Sequence, residues 1–326
     1  MENKVFDVVL LVALPASGKS EVRNFMANIE PERLQKEFHI GENLQLDDFP
    51  YVHMMRRIDN ELQAMGEERL FYPGEEPFID GRDWGTLCHL LNEDYLDLIN
   101  RNYVNTDCAA LFLFDRIDCA GTQAGIRPRL GMLKDSVRKK LAEILEAEAK
   151  EMLDAKQAAY PESFENKTVI IECARGGPDG SAMPLTGTFG YQYSLPLFCP
   201  EILERAVVLY IWVTPEESRR KNADRADPND PGSNLHHGVP MAVMLGDYGC
   251  DDMEYLITHS EKQNTLTVPA YGKKYYLPIG IFDNRKDKTS FLRESPEKWD
   301  PKLVDDVTAA IRTATDTMYS GFTNSQ

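Results

Sequence analysis

The distribution of apolar residues along the chain predicts a parallel sheet covered by helices. Four short segments are mostly apolar, as expected for strands that are buried on both faces of a sheet, and a fifth segment at residues 39–46 contains a further strand. The segments between them repeat apolar residues every three or four positions, which is the helical spacing. We therefore predict a three-layer α/β fold of mainly parallel strands. The predicted strands cover residues 5–12, 39–46, 168–173, 206–213 and 275–282.

The helical spacing is clear in most of the intervening segments and ambiguous in one. The run at residues 109–117 has the apolar content of a strand, but its charged residues Asp115 and Arg116 favour a helix. The last helix has a well-defined start, because Asp300 can cap its first turn and Pro301 suits its first position. One predicted helix follows the first strand and ends at Pro31, and others cover residues 50–70, 84–103, 129–158, 215–225 and 300–318.

The first predicted strand leads directly into a phosphate-binding motif. Residues 13–20 read Ala-Leu-Pro-Ala-Ser-Gly-Lys-Ser, and the motif G-x-x-x-x-G-K-[ST] differs from them only at Ala13. Such a loop between a strand and a helix directs backbone amides and a lysine at phosphate oxygens. The Ser20 hydroxyl is then a ligand for Mg²⁺. The predicted nucleotide-binding residues are Leu14, Pro15, Ala16, Ser17, Gly18, Lys19 and Ser20.

Two other interpretations of this segment stay open. The pattern can arise by chance in a chain of 326 residues. Residues 8–16 also resemble the apolar core of a signal peptide, although Glu2 and Asp7 are unlike the basic start of such a peptide. The phosphate loop is the stronger interpretation, because both the strand before it and the helix after it are of the required kind.

Charge and composition narrow the classes of function. The formal net charge of −17 would repel an extended nucleic-acid backbone. No apolar run approaches the roughly 20 residues of a membrane-spanning helix. The six cysteines are scattered without a C-x-x-C pair, which favours reduced thiols over zinc ligands or disulfides. We expect a cytoplasmic enzyme that acts on a small molecule, without a nucleic-acid or membrane partner.

Polar residues follow each predicted strand at the point where it ends. Asp47 and Asp48 come after the second strand, Glu172 lies at the end of the third, and Asn284 comes after the fifth. The fourth strand leads into the arginine-rich helix at residues 215–225. Ligands of open parallel sheets bind at the carboxyl ends of the strands. We therefore expect these groups to converge on one site.

In these features the chain resembles the P-loop kinases of the nucleoside-monophosphate-kinase-like group, which phosphorylate nucleotides and small metabolites. The resemblance rests on residues 13–20, the acids Asp47 and Asp48, Glu172, and the helix at 215–225, and it covers roughly half of the chain. It implies ATP- and Mg²⁺-dependent phosphoryl transfer to a small-molecule acceptor. It also implies the strand order 2-3-1-4-5 and a lid that closes over the phosphates.

The resemblance also implies roles for individual residues. Lys19 would bridge the β- and γ-phosphates of ATP. Glu172 would hold a water molecule of Mg²⁺, or it can instead cap a neighbouring loop as a carboxylate at the end of a strand. Asp47 or Asp48 would orient the acceptor hydroxyl or accept its proton. Either acid can instead cap the helix that starts near residue 50.

Less specific sequence features point to the residues of the lid and to the residue that would contact the nucleotide base. Arg219, Arg220 and Arg225 would bring positive charge to the closed site, but arginines in such a helix can equally pair with Glu216 and Glu217 at the surface. Arg175 would reach a phosphate, and Asn284 would contact the base. We interpret residues 1–326 as one elaborated domain with an inserted helical substrate region at 72–165 and a lid with its connecting segment at 214–270.

Three other functions stay open at this stage. The first is an ATPase or nucleotide-dependent switch that acts on a protein partner through the long segments without a motif. The second is a polynucleotide kinase, which the acidic composition disfavours. The third is a protein that binds nucleotide without catalysis, because Ala13 and Glu172 depart from the usual glycine and aspartate.

Overall fold

A six-stranded sheet, with strands in the order β2-β3-β1-β4-β6-β5, forms the centre of the protein. The computed structural model describes residues 4–225 and 238–324. The first five strands in that order run parallel to one another, and helices cover both faces. The predicted three-layer, mainly parallel α/β fold is confirmed. The strands are β1 (Val8–Val12), β2 (Glu42–Asp47), β3 (Lys167–Cys173), β4 (Ala206–Trp212), β5 (Thr265–Ala270) and β6 (Lys273–Asp283).

The predicted strand count and order were wrong at one edge of the sheet. The five predicted strands omit β5, which pairs antiparallel with β6 through a two-residue turn at Tyr271-Gly272. Both turn residues have positive φ, 52° and 73°, as a tight hairpin turn of this kind requires. The β5 sequence Thr-Leu-Thr-Val-Pro-Ala alternates polar and apolar residues. It was missed because an edge strand lacks the continuous apolar run of a central strand.

Alternating residues of the central strand enter two separate cores. Val8, Leu10 and Val12 pack on one face of the sheet, and Val9 and Leu11 pack on the other. This is the period of two that a strand imposes on its side chains. The second face is covered by α1 (Lys19–Ala27), α2 (Pro31–Phe38) and α12 (Pro301–Asn324). The sequence prediction omits helix α2, because a proline such as Pro31 can follow the end of one helix and can equally be the first residue of the next.

Four helices between β2 and β3 form a third apolar cluster beside the sheet. The ambiguous run at residues 109–117 is the first half of a helix, so the strand alternative is excluded. The helix predicted from residue 129 begins only at Asp135, because residues 129–134 form turns. These helices are α3 (Phe49–Ala64), α4 (Asp83–Asn100), α5 (Ala109–Gln123) and α6 (Asp135–Ala158).

The remaining helices are short, apart from the predicted lid helix α9 (Pro215–Arg225), and lie between β3 and β5. Part of the predicted lid segment, residues 226–237, lies outside the described residues. No helix within residues 4–225 and 238–324 is long and apolar enough to cross a membrane. All six cysteines are free thiols. The short helices are α7 (Gly190–Ser194), α8 (Pro200–Leu203), α10 (Met241–Gly246) and α11 (Met253–Thr258).

Candidate functional site

The loop between β1 and α1 requires glycine at position 18, both for its backbone conformation and for lack of space. Gly18 has φ 109°, and a Cβ atom placed there would lie 2.5 Å from Thr289 Oγ1. A side chain at this position would therefore be strained and would also clash. Ala13, in contrast, is fully buried, and its methyl group packs into the apolar core beneath the sheet. The departure from glycine at Ala13 is therefore accommodated by packing.

Three parts of the chain fix the loop from outside. The buried Asn284 side chain donates a hydrogen bond to the Ser17 carbonyl (2.6 Å), and Ser218 Oγ of α9 donates to the Pro15 carbonyl (2.7 Å). The Tyr191 hydroxyl lies 3.2 Å from the Ala13 carbonyl. These bonds fix the positions of three loop carbonyls. In this arrangement Asn284 supports the loop, and its predicted contact with a nucleotide base stays a prediction.

A cluster of charges surrounds Glu172 at the end of β3. Lys19 Nζ lies 3.9 Å from Glu172 Oε1 and donates to the Leu14 carbonyl (3.3 Å). Arg23, one turn further along α1, lies 3.1 Å from Glu172 Oε2. Two cations therefore share one carboxylate at the mouth of the loop. Ser17 Oγ is buried nearby and has no hydrogen-bond partner among the residues that the structure describes, which leaves a donor for a ligand in the loop.

The loop forms one end of a cavity of about 150 Å³. The strand register brings the predicted rim together, because Asp47 is aligned with Glu172, and Val12 is aligned with Cys173. The cavity continues from this rim toward α3, α4 and α10. The residues that line it include Pro15, Ala16, Ser17, Lys19, Ser20, Arg23, Asp47, Asp48, Arg56, Tyr72, Trp84, Glu172, Val239, Asp247 and Tyr248.

The two adjacent acids after β2 have different surroundings. Asp47 accepts the backbone N–H of Phe49 (2.9 Å), and burial, followed by the charges of Glu172 and Asp48, raises the pKa of Asp47 to about 7. Asp48 is buried and forms an ion pair with Arg175 (2.6 Å). Asp47 therefore lies on the rim and bonds to the first residue of α3, whereas Asp48 occupies the N-cap position without a side-chain capping bond. Asp48 is already paired with Arg175.

Arg175 does not reach the cavity as predicted for a phosphate ligand. Its side chain is 2% exposed, and it bonds to Asp48, to Ser194 Oγ (3.2 Å) and to its neighbouring carbonyl at Ala174. The guanidinium also lies 5.0 Å from the Trp84 ring centre. Arg175 thus connects the end of β3 to the wall of the cavity from behind. Its role in this structure is to hold Asp48 and Trp84 in place.

The far end of the cavity contains residues that the sequence did not point to. Arg56 stacks on Tyr72, with its guanidinium 3.8 Å from the ring centre, and donates to the Gly74 carbonyl (2.9 Å). Trp84 and Tyr248 meet edge to face, with ring centres 5.6 Å apart. Asp247 is 4% exposed, and its Oδ2 atom has no hydrogen-bond partner within residues 4–225 and 238–324. These residues are dispersed in the sequence, so no local motif could have revealed them.

The predicted lid arginines are paired with acids in this structure. Arg219 lies 3.2 Å from Asp179, and Arg220 lies 2.7 Å from Glu217. Neither arginine lines the cavity. The side chain of Arg225 lies outside the described residues. The surface-pair alternative thus describes the observed state of this helix, and closure over phosphates stays a prediction.

A larger cavity of about 500 Å³ lies between β2, α3, α5 and α6. Its most buried charges already have partners, since Arg116 and Lys156 both lie 2.8 Å from Asp94. The Tyr51 hydroxyl donates to the same carboxylate (2.6 Å). This cavity offers apolar surface and a satisfied ion network. The smaller cavity is therefore the better candidate for chemistry, because it combines the loop with a buried carboxylate, Asp247, whose Oδ2 atom has no partner in the described part of the chain.

Comparison of the chain with protein-family models, with curated proteins and with solved structures finds no significant match.

Proposed function

We propose that this protein catalyses the ATP- and Mg²⁺-dependent transfer of a phosphoryl group to a small-molecule acceptor. The observation that carries the proposal is the junction of two features in one cavity. The motif loop with Lys19 forms one end, and Asp47, whose pKa burial raises to about 7, lies on the wall. Phosphoryl transfer requires an anion cradle and a proton acceptor side by side.

The loop end supplies the positive charge. Lys19 and Arg23 flank the phosphate site, and the first turn of α1 adds backbone amides at the positive end of the helix dipole. In the absence of a ligand both cations are held by Glu172 and by carbonyl oxygens. A triphosphate would compete for Lys19, because phosphate carries more charge than a backbone carbonyl.

Asp47 would receive the proton of the acceptor hydroxyl. As the acceptor oxygen forms its bond to phosphorus, the bond from phosphorus to the leaving ADP oxygen breaks, and the released proton moves to the Asp47 carboxylate. A pKa of about 7 suits this task near neutral pH. The walls formed by Trp84 and Tyr248 limit access of water to the acceptor.

The residues at the loop fit a magnesium ion of the kind found with nucleotides. Such an ion takes one or two protein oxygens together with phosphate oxygens and water. Ser20 and Glu172 line the same cavity, and no group of three acids, histidines or cysteines able to hold a metal occurs in residues 4–225 or 238–324. Ser20 would bind the ion directly, and Glu172 would hold one of its waters. The bound ion would neutralise charge on the phosphates.

A test of the proposal is ATP consumption with Mg²⁺ and a defined mixture of polyols, amino alcohols and nucleosides. The wild-type protein should form a phosphorylated product, the variant Lys19→Ala should not, and the surface variant Lys36→Ala should behave as wild type. Steady hydrolysis without any phosphorylated acceptor would favour the ATPase or switch alternative. Equal turnover by Lys19→Ala would contradict the proposal.

A further inference from the structure

We propose that Asp247 selects the acceptor, and that the acceptor is an uncharged or cationic alcohol rather than a phosphorylated compound. This inference rests on the proposed function and names the substrate class of the same site. It follows from one unpartnered carboxylate, from the charges around it, and from the walls of the cavity beyond the phosphate loop.

Asp247 is the clearest unsatisfied group at the far end of the cavity. Its side chain is almost completely buried, and its Oδ2 atom lacks a partner among the described residues. Buried polar groups are normally hydrogen-bonded, and leaving one unpaired is costly. Asp247 ends the short helix α10, where its backbone N–H donates to the Val243 carbonyl (2.9 Å). The backbone is thus fixed, and the free oxygen is available to a hydrogen-bond donor of a ligand.

The charge balance around Asp247 disfavours an anionic ligand. Lys19 and Arg23 share Glu172, so the excess positive charge lies at the phosphate end, and Asp48 is neutralised by Arg175. Of the remaining charged groups on the cavity wall, Asp47 and Asp247 are acids and Arg56 is the single base within the described residues. A phosphate or carboxylate on the acceptor would therefore face two carboxylates and one arginine.

Arg56 is itself only partly available to a ligand. It donates to the Gly74 carbonyl and stacks on Tyr72. Its charge lowers the pKa of Asp247, but burial has the larger, opposite effect and raises that pKa to about 7. The tyrosines Tyr72 and Tyr248 are the other titratable groups that interact with Asp247. Near neutral pH the Asp247 oxygen can therefore accept a hydrogen bond from a hydroxyl or an ammonium group.

The volume of the cavity and its aromatic walls further restrict which ligands can fit. At about 150 Å³ the cavity is smaller than the roughly 300–1,000 Å³ typical of pockets for drug-sized ligands. Trp84, Tyr72 and Tyr248 provide flat apolar surface next to the carboxylate. Such a combination suits a small alcohol with an apolar or ring face and at least one second donor group.

Thermal-shift and calorimetric titrations with matched probes test this assignment. Protein saturated with a non-hydrolysable ATP analogue and Mg²⁺ is titrated with uridine, uridine 5′-monophosphate, ethanolamine, O-phosphoethanolamine and myo-inositol. We expect at least one unphosphorylated probe to bind, its phosphorylated counterpart to bind at least tenfold more weakly, and Asp247→Leu to weaken the bound probe by about 10- to 100-fold. Failure of every unphosphorylated probe, equal binding of a phosphorylated one, or unchanged binding by Asp247→Leu would overturn the proposal.

The stability of conservative variants separates ligand binding from a structural role. Asp247→Asn should raise the melting temperature at pH 8, because it removes a buried carboxylate that the apoprotein leaves unpaired. The matched control is Asp252→Asn, since Asp252 is equally buried but accepts the N–H groups of Tyr191 (2.7 Å) and Gln192 (2.8 Å). That variant should lower the melting temperature. If Asp247→Asn is destabilised as much as Asp252→Asn, Asp247 is a structural residue and the proposal fails.

The response to the ATP analogue alone shows whether the proposed function fails or only the assignment of the acceptor class. If the ATP analogue does not stabilise the wild-type protein at all, the proposed function itself fails. If the analogue stabilises both the wild type and Asp247→Leu but the probes do not behave as stated, only the assignment of the acceptor class is wrong.

Discussion

The two ends of the cavity are built in different ways. The phosphate end takes its loop from one continuous segment, residues 13–20, although the carboxylate that pairs with its cations, Glu172, lies at the end of β3. The acceptor end comes from residues on α3, α4 and the region of α10, which lie far apart in the sequence. One end therefore has a local conformation fixed by glycine and hydrogen bonds, and the other exists only through tertiary packing.

The two ends also differ in whether their charged groups already have partners within the protein. At the phosphate end Lys19 and Arg23 have a carboxylate to neutralise them before any ligand binds. At the acceptor end Asp247 is buried, and at the rim Asp47 is half-buried; both have raised pKa values, and neither has a cationic partner within salt-bridge distance in the described parts of the chain. We expect ligand binding to exchange partners at the first end and to supply missing partners at the second.

The largest effect should come from the phosphate end. Lys19→Ala should reduce phosphoryl transfer by about 10³-fold, because it removes a preorganised cation from the transferred phosphoryl group. The melting temperature should change little, since the contacts of Lys19 include two carbonyls at 3.5 and 3.3 Å and a carboxylate at 3.9 Å, none of them a short ion pair. Steady-state kinetics with Lys36→Ala as the surface control checks this. A loss of activity that merely follows a loss of folded protein would argue against a direct role.

The next largest effect should come from Arg175, which contacts Asp48 and Trp84 behind the wall of the cavity. Arg175→Met should lower the free energy of unfolding by about 3–5 kcal/mol, because it leaves Asp48 buried without its partner. The double variant Arg175→Met, Asp48→Asn should recover part of this loss. The exposed pair Arg285–Asp283 (2.8 Å) is the matched comparison, and Arg285→Ala should cost less than about 1 kcal/mol. Equal losses in denaturant titrations of the two arginine variants would show that burial is not the cause.

The pH dependence of kcat/KM should separate the role of Asp47 from that of Asp247. With Asp47 as the proton acceptor, kcat/KM should rise with pH through about 7 and then level off. Asp47→Asn should remove this limb and slow transfer by about 10²-fold, whereas Asp247→Asn should retain the limb. If the limb disappears with Asp247→Asn instead, the proton acceptor has been assigned to the wrong carboxylate.

The same pKa shift has a consequence for stability. The native state holds the Asp47 proton more tightly than the unfolded state, whose pKa is near the ordinary 3.8. The contribution of this group to stability therefore falls as pH rises from about 4 to about 7, and it is constant above that range. Asp47→Asn should accordingly gain stability relative to wild type across the same interval in urea titrations.

The smallest effect is expected from a methyl group in the phosphate loop. Gly18→Ala should cost about 1–3 kcal/mol, since Gly18 has positive φ and a Cβ atom would also lie 2.8 Å from Asn284 Nδ2. Gly66→Ala is a matched control, because Gly66 also has positive φ but no atom within 4 Å of the added carbon. It should cost about 1 kcal/mol. Equal costs in the two variants would show that the clash at the loop is relieved without strain.

The sequence was sufficient for features that depend on local pattern. The motif loop, the five parallel strands and the acids at Asp47 and Glu172 all follow from contiguous residues, and the structure places these groups on one rim. The prediction was wrong for β5, whose alternating pattern is typical of an exposed edge. It also missed Arg56, Trp84 and Asp247, because only tertiary packing brings these positions together. Arg175 shows the same limit, since its partner Asp48 lies 127 residues away in the sequence.

The most direct measurement is a crystal structure with a non-hydrolysable ATP analogue and Mg²⁺. Our account predicts the triphosphate inside the loop at residues 13–20, with Lys19 Nζ moved from the carbonyls of Ala13 and Leu14 to phosphate oxygens. The acceptor end, with Asp247, should stay open beside the terminal phosphate. A loop that remains closed on Lys19 at saturating analogue, or an analogue bound elsewhere on the protein, would contradict the account.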